Sequence, residues 1–227
     1  MKAGILSDTH DLLRPEVLNA LQGCDCILHG GDISSPGILE RLKEIAPVRA
    51  VRGNNDHEWA AHLPAFLDFE LAGLRIYMTH RRKDLPGDLT PYDLVIYGHS
   101  HQYASVWQEQ AGHRRTLLLN PGSCGPRRFL QPITMALLTI EPDGWQVKQV
   151  SIQPAAREKV PQMDGGDIHR QIEVVVRDTE KGLSTEAIAR KRRLDPELVE
   201  QIVRLYVTHP GVTVDGIMTK MGLLGKL

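Results

Sequence analysis

Five clusters of metal-ligand-type side chains lie within the first 101 residues, each where an apolar run gives way to a turn. They are Asp8-Thr9-His10, Gly31-Asp32, Gly53-Asn54-Asn55-Asp56, His80 and Gly98-His99-Ser100-His101. The runs before them (2–7, 25–29, 47–52, 74–79 and 93–97) have the length of buried strands, not of helices. A chain that releases one polar cluster after each strand can use them together only by gathering the strand ends at one edge. Such an edge is where an α/β protein places a ligand site. The ordered series predicts a dinuclear metal site.

Helical patterns at 14–22, with Pro15 in the opening turn, and at 36–44 separate the first three strands. This alternation predicts right-handed βαβ units and a parallel sheet. Beyond about residue 52 the pattern changes. Apolar runs at 66–71, 74–79, 93–97, 104–109, 115–119, 133–140 and 145–151, separated by short turns, predict a mixed or antiparallel second sheet. The expected fold class is α/β, a two-sheet mixed β-sandwich flanked by helices, with a small all-α C-terminal domain.

The expected domains are 1–153, a linker at 154–166 with two prolines and a Gly-Gly pair, and a helical domain at 167–227. In the last of these, Ser184-Thr185-Glu186 and Asp195-Pro196-Glu197 read as helix starts. Leu198, Val199, Ile202, Leu205 and Tyr206 form an apolar face at helical spacing. The layout resembles a helix-turn-helix, and Arg190-Lys191-Arg192-Arg193 offers charge to nucleic-acid phosphates. The other reading is a cap or oligomerisation element with a solvated basic edge.

A net charge of −1 gives no overall attraction to nucleic acid or acidic lipid. No apolar run approaches the ~18 residues of a spanning helix, and the strand-like opening run leads us to expect no signal peptide. Three cysteines, an odd number, suit a reducing compartment, so a cytoplasmic protein with no membrane partner is expected. Cys24 and Cys26 alternate, which places both thiols on one strand face as core residues. His29, His62, His113, His169 and His209 have no motif around them and read as structural or surface residues.

Within the clusters, Asp8 and His10, like His99 and His101, are two apart, so on an extended chain each pair points one way. The glycines before Asp32 allow a sharp turn, and its two oxygens can bridge two cations. Asn54 offers a neutral amide oxygen. The order Asp-x-His, Gly-Asp, Gly-Asn-x-Asp, His, Gly-His-x-His resembles the calcineurin-like metallophosphoesterases. Residues 1 to about 152 resemble the compact YfcE/MJ0936-type phosphodiesterase branch, as do Asn120-Pro121-Gly122-Ser123 and Pro126-Arg127.

The resemblance implies that Asp8, His10 and His101 hold one metal, that Asn54, His80 and His99 hold a second, and that Asp32 bridges both. Asp32, Asn54 and His99 then stand at the catalytic centre. It implies two divalent metal ions, Mn²⁺ by family habit. The imidazoles equally suit Fe, Co, Ni or Zn over Mg or Ca. The implied reaction is in-line hydrolysis of a phosphodiester substrate by a metal-bridging hydroxide, with no protein nucleophile at Ser123 or Cys124. A nuclease that holds DNA or RNA with the C-terminal helices is one alternative. A metal-binding interaction scaffold on the same fold is another. Relatives are often homo-oligomers.

Two departures matter. Many relatives carry His where this chain has Asn55, and an amide cannot protonate a leaving group; this favours activated diesters or a substitute such as His57. The frequent His-Gly-His becomes His80-Arg81-Arg82. Asn55, Arg81 and Arg127 are candidate substrate contacts, the arginines through bidentate bonds to phosphate. Solvated arginines are the competing reading.

Overall fold

The computed structural model describes residues 1–110, 115–127, 131–153, 165–194, 196–221 and 223. The described residues fall into two compact units, one ending at residue 153 and one beginning at residue 165. The first unit opens with β1 (Lys2–Leu6), α1 (Pro15–Leu21), β2 (Cys26–His29), α2 (Pro36–Lys43) and β3 (Val48–Ala50). β1 pairs parallel with β2, and β2 with β3, as the strand–helix alternation requires. β4 (Phe66–Leu71), β5 (Leu74–Thr79), β6 (Leu94–Ile96), β7 (Tyr103–Glu109), β8 (Arg115–Pro121), β9 (Ile133–Glu141) and β10 (Gly144–Ile152) follow. They complete two five-stranded sheets, ordered β10-β9-β1-β2-β3 and β4-β5-β6-β8-β7.

One expectation fails. The last two strands were assigned by pattern to the second sheet, but they close the first, where β9 lies antiparallel between β1 and β10. The reason is burial on both faces: Ile133, Thr134, Met135, Ala136 and Leu138 are all buried. A strand that buries successive residues belongs inside a sheet with both faces covered.

Alternation along β1 builds two cores at once. Leu6 packs with Val17 and Leu21 of α1 and with Leu39 and Leu42 of α2. Its neighbour Ile5 joins Ile76, Met78, Leu94, Ile96 and Leu119 in a core that spans both sheets. The cysteines follow the same division, contrary to the expectation of a shared face. Cys24 lies in the helix-side core and Cys26 in the other. Cys24 precedes β2, in the turn after α1, so strand alternation does not govern it.

The second unit consists of α3 (Gly165–Glu180), α4 (Thr185–Arg192), α5 (Pro196–Thr208) and α6 (Val214–Lys220). Of the expected linker, 154–164 lies outside the described residues, and Gly165 and Gly166 open α3 instead. Ile172, Val175, Ile188, Val199, Ile202 and Ile217 form a separate core. Ser184 caps α4, its hydroxyl accepting the Ala187 N–H at 3.3 Å. No helix among the described residues is long and apolar enough to cross a membrane.

The basic run at the end of α4 is partly committed within the unit. Arg192 donates to Asp178 through Nε at 2.6 Å and a terminal nitrogen at 3.0 Å, and Lys191 Nζ lies 3.2 Å away. Hydrogen bonding from Arg192, then from Lys191, holds the Asp178 carboxyl down at about 2. An ordinary aspartate, as in the unfolded chain, titrates near 3.8. The stabilisation is therefore complete above pH 4 and is lost as pH falls through about 2. Asp178→Asn should lower the melting temperature of the helical unit at neutral pH. Its melting temperature should also vary less between about pH 4 and 2, as followed by circular dichroism.

Candidate metal centre

The candidate ligands of the first unit come from five strand ends. β1 leads to Asp8 and His10, β2 to Asp32, β3 to Asn54, β5 to His80, and β6 to His99 and His101. Their donor atoms gather into two groups, Asp8–His10–His101 and Asp32–His80–His99, each within 4.8 Å. In the first, His101 Nε2 is 3.2 Å from both Asp8 Oδ1 and His10 Nε2. In the second, His80 Nε2 is 3.3 Å from Asp32 Oδ2 and 3.1 Å from Asn54 Oδ1. Asp32 Oδ2 is also 3.8 Å from His10 Nε2, so this one oxygen faces both groups.

These positions do not come from extended chain. Asp8, His10, Asp32, His99 and His101 all have φ between 43° and 71°, in the left-handed region. The expectation of i, i+2 pairs on straight strands is therefore wrong, because β1 ends at Leu6 and β6 at Ile96. Beyond those ends the chain curls. The Asp8 N–H donates to Gly31 O (2.9 Å), His10 N–H to Asp32 O (3.0 Å) and Asp11 N–H to Ile33 O (3.0 Å), zipping two curled turns together. Asp and His tolerate this conformation better than most residues, yet each such position costs about 1 kcal/mol or more. Runs of such positions cluster at functional sites.

The donor set fits a cation. Asp8 Oδ2 accepts the His99 N–H at 3.1 Å, while the buried Asp8 Oδ1 faces His101 Nε2 at 3.2 Å. His80 Nδ1 faces the Gly30 carbonyl at 2.8 Å and must donate to it. In the neutral ring, the Nε2 lone pair is then turned toward the oxygens of Asp32 and Asn54. Three acceptors converging on one point repel one another unless a proton or a metal lies between them.

The electrostatics of these side chains agree. Burial works against the Asp32 anion, but the hydrogen bond and charge of His80 and the Asn55 N–H outweigh it and hold the pKa far below normal. Asp8 is likewise opposed by burial and held low chiefly by His101. For His80, burial disfavours the cation, but hydrogen bonding to Asp32 and the charges of Asp8 and Asp32 raise its pKa. His99 is lowered by burial and then by the charge of His80.

The candidate substrate contacts are placed less centrally. Asn55 donates to both oxygens of Asp32, through its N–H at 2.8 Å and Nδ2 at 3.0 Å, and so orients that carboxylate. Arg81 Nε is paired with Asp84 at 2.7 Å. Arg127 is half-buried, and no hydrogen-bond partner reaches its Nε among the described residues. His57 is exposed. Ser123 is occupied, its hydroxyl donating to Asp8 O at 2.9 Å, and burial pushes the Cys124 thiol up to about 12.

Sequence reasoning left three buried residues without roles. Asp56 accepts the N–H groups of Ile33, Ser34 and Gly53 at 2.7–2.8 Å, tying the Asp32 turn to the Asn54 turn. Asn120 Nδ2 donates to Gly98 O and Ser100 Oγ, both at 2.9 Å, shaping the turn between His99 and His101. His29, two residues before Gly31, lies beneath the Asp8 and Asp32 turns. A polar residue within three positions of each ligand cluster was the available signal for Asp56 and His29. Asn120 had only its short motif.

The model of the calcineurin-like phosphoesterase superfamily domain matches residues 1–143. The chain belongs to the calcineurin-like phosphoesterase superfamily. A probable metallophosphoesterase of Methanothermobacter thermautotrophicus is 34% identical over 151 residues, spanning 60% of this chain and 85% of that protein. Phosphodiesterase MJ0936 of Methanocaldococcus jannaschii is 30% identical over 146 residues, spanning 55% of this chain and 84% of that protein. The structure of Yfce, a phosphoesterase from E. coli, aligns with a TM-score of 0.50 at 26% identity, covering 67% of this chain and 100% of that one. Membership makes this chain a hydrolase of phosphoric esters and implies divalent metal ions.

Close approach of the turns explains one motif glycine of this phosphoesterase. A Cβ at Gly98 would overlap Ser7 Oγ and lie 2.8 Å from Asp8 Oδ2. Gly98→Ala should destabilise the metal-free protein by about 1–3 kcal/mol, measured by urea denaturation.

Proposed function

We propose that the chain is a dinuclear-metal-dependent phosphodiesterase, with Mn²⁺ as the working metal. The observation that carries this reading is Asp32 Oδ2, which faces both donor groups at once. Asp8, His10 and His101 would hold one ion, Asn54, His80 and His99 the other, and Asp32 both. Two divalent ions against two carboxylates leave a first shell of about +2, matched to a phosphodiester. Bound there, the ions supply Lewis acidity toward the phosphate oxygens and acidify water near neutral pH.

The chain's own residues set the geometry and the limits. Asp8 and Asp32, kept ionised, provide anionic donors. His80, oriented by Gly30, presents Nε2. Asn55 holds the bridging carboxylate and has no proton to give a leaving group, so esters of acidic alcohols or phenols suit the site best. Arg127 is the favoured cation for a non-reacting phosphate oxygen.

Hydrolysis of bis(p-nitrophenyl) phosphate by purified protein tests the reading. The expected result is Mn²⁺ stimulation, loss with chelator, and a drop on the order of a thousandfold in kcat/KM for Asp32→Ala. An undiminished Asp32→Ala rate overturns the bridging assignment. Metal-free isolation with no diesterase activity in any divalent metal would instead favour a scaffold.

A further inference from the structure

A buried imidazole lies beneath the turns that carry the candidate ligands. His29 is fully buried at the end of β2, with its ring hydrogen-bonded to Thr9 and to the Gly31 backbone. Its Nδ1 lies 3.1 Å from the Gly31 backbone nitrogen, whose N–H donates to it. Nδ1 is therefore the unprotonated nitrogen, and Nε2 carries the hydrogen. That Nε2–H points at Thr9 Oγ1, 3.1 Å away, and the Thr9 hydroxyl in turn donates to Ile33 O at 3.4 Å.

We infer that His29, with Thr9, is a positioning clip that holds the Asp8–His10 turn and the Asp32 turn in the relative geometry that a bridged metal pair requires. The inference rests on the dinuclear reading above and deepens it. Thr9 stands between Asp8 and His10, and Gly31 immediately precedes Asp32, so the ring links the carriers of three candidate ligands. Those carriers sit in the left-handed region, where the local chain alone does not hold them. Burial keeps the imidazole neutral at physiological pH, with its pKa lowered to about 4. It therefore adds no positive charge beneath the cations. A leucine of similar volume would fill the space but strand the buried Gly31 N–H and free Thr9. Support of this kind commonly contributes 10–100-fold in metal affinity when removed.

The test uses the full chain and reads Mn²⁺ affinity by calorimetry without substrate, alongside urea stability of the metal-free protein. His29→Leu removes both hydrogen bonds. His29→Asn keeps an acceptor for the Gly31 N–H but cannot reach Thr9, and Thr9→Val removes only the hydroxyl. The expected result is Mn²⁺ affinity about 10–100-fold weaker for folded His29→Leu, with smaller losses for the other two. Combining Thr9→Val with His29→Leu should cost less than the sum of the two single changes, because both remove the His29–Thr9 bond. Unchanged Mn²⁺ affinity in a folded His29→Leu, even at reduced stability, overturns the clip and makes His29 a packing residue. If His29→Leu does not fold, Thr9→Val decides, and unchanged affinity there overturns the clip equally. Wild-type protein that binds no Mn²⁺ overturns the dinuclear reading together with the clip, whereas binding that the variants leave intact overturns the clip alone.

Discussion

The structure depends on holding the carboxylate of Asp32 ionised and buried among imidazoles. An anion removed from water is costly unless charge and hydrogen bonds compensate it. Here Asn55 donates to both oxygens, while His80 stands 3.3 Å and His10 3.8 Å from one of them. The neighbouring turns follow from this requirement. Asp56 gathers the N–H groups on either side, and Gly53 is small enough to pass beside the Asp32 backbone.

Backbone conformation records the same demand. Five of the seven candidate ligands sit at positive φ, and Ser34 joins them. A chain adopts such a series only where surrounding contacts over-determine it. The parallel ladder of β1 and β2 provides them, because its hydrogen bonding continues past the strand ends from Asp8, His10 and Asp11 to Gly31, Asp32 and Ile33. Regular sheet thus passes its register to an irregular site.

Much of this was legible in the residues. Short runs rich in apolar residues marked β1 to β10, strands of three to nine residues, to within two residues at each end. The candidate ligand residues and their order along the chain stand equally plainly in the sequence. Sheet membership was not: β9 pairs with β1 across more than a hundred residues of chain and brings β10 with it, and local pattern carries no such pairing. Nor could spacing reveal curled turns in place of extended ones, since Asp8 and His10 are two apart in either conformation. The commitment of Lys191 and Arg192 to Asp178 escaped for a related reason: a basic run looks alike whether it meets solvent or a partner thirteen residues earlier.

The origin of the two donor groups has a mechanical consequence. Each mixes layers, for Asp8, His10 and Asp32 leave the sheet of β1 and β2, whereas His80, His99 and His101 leave that of β5 and β6. An ion seated in either group would act as a rivet through the sandwich, resisting shear of one sheet across the other. Occupancy of the centre would then be felt in the stiffness of the core between Ile5 and Ile96.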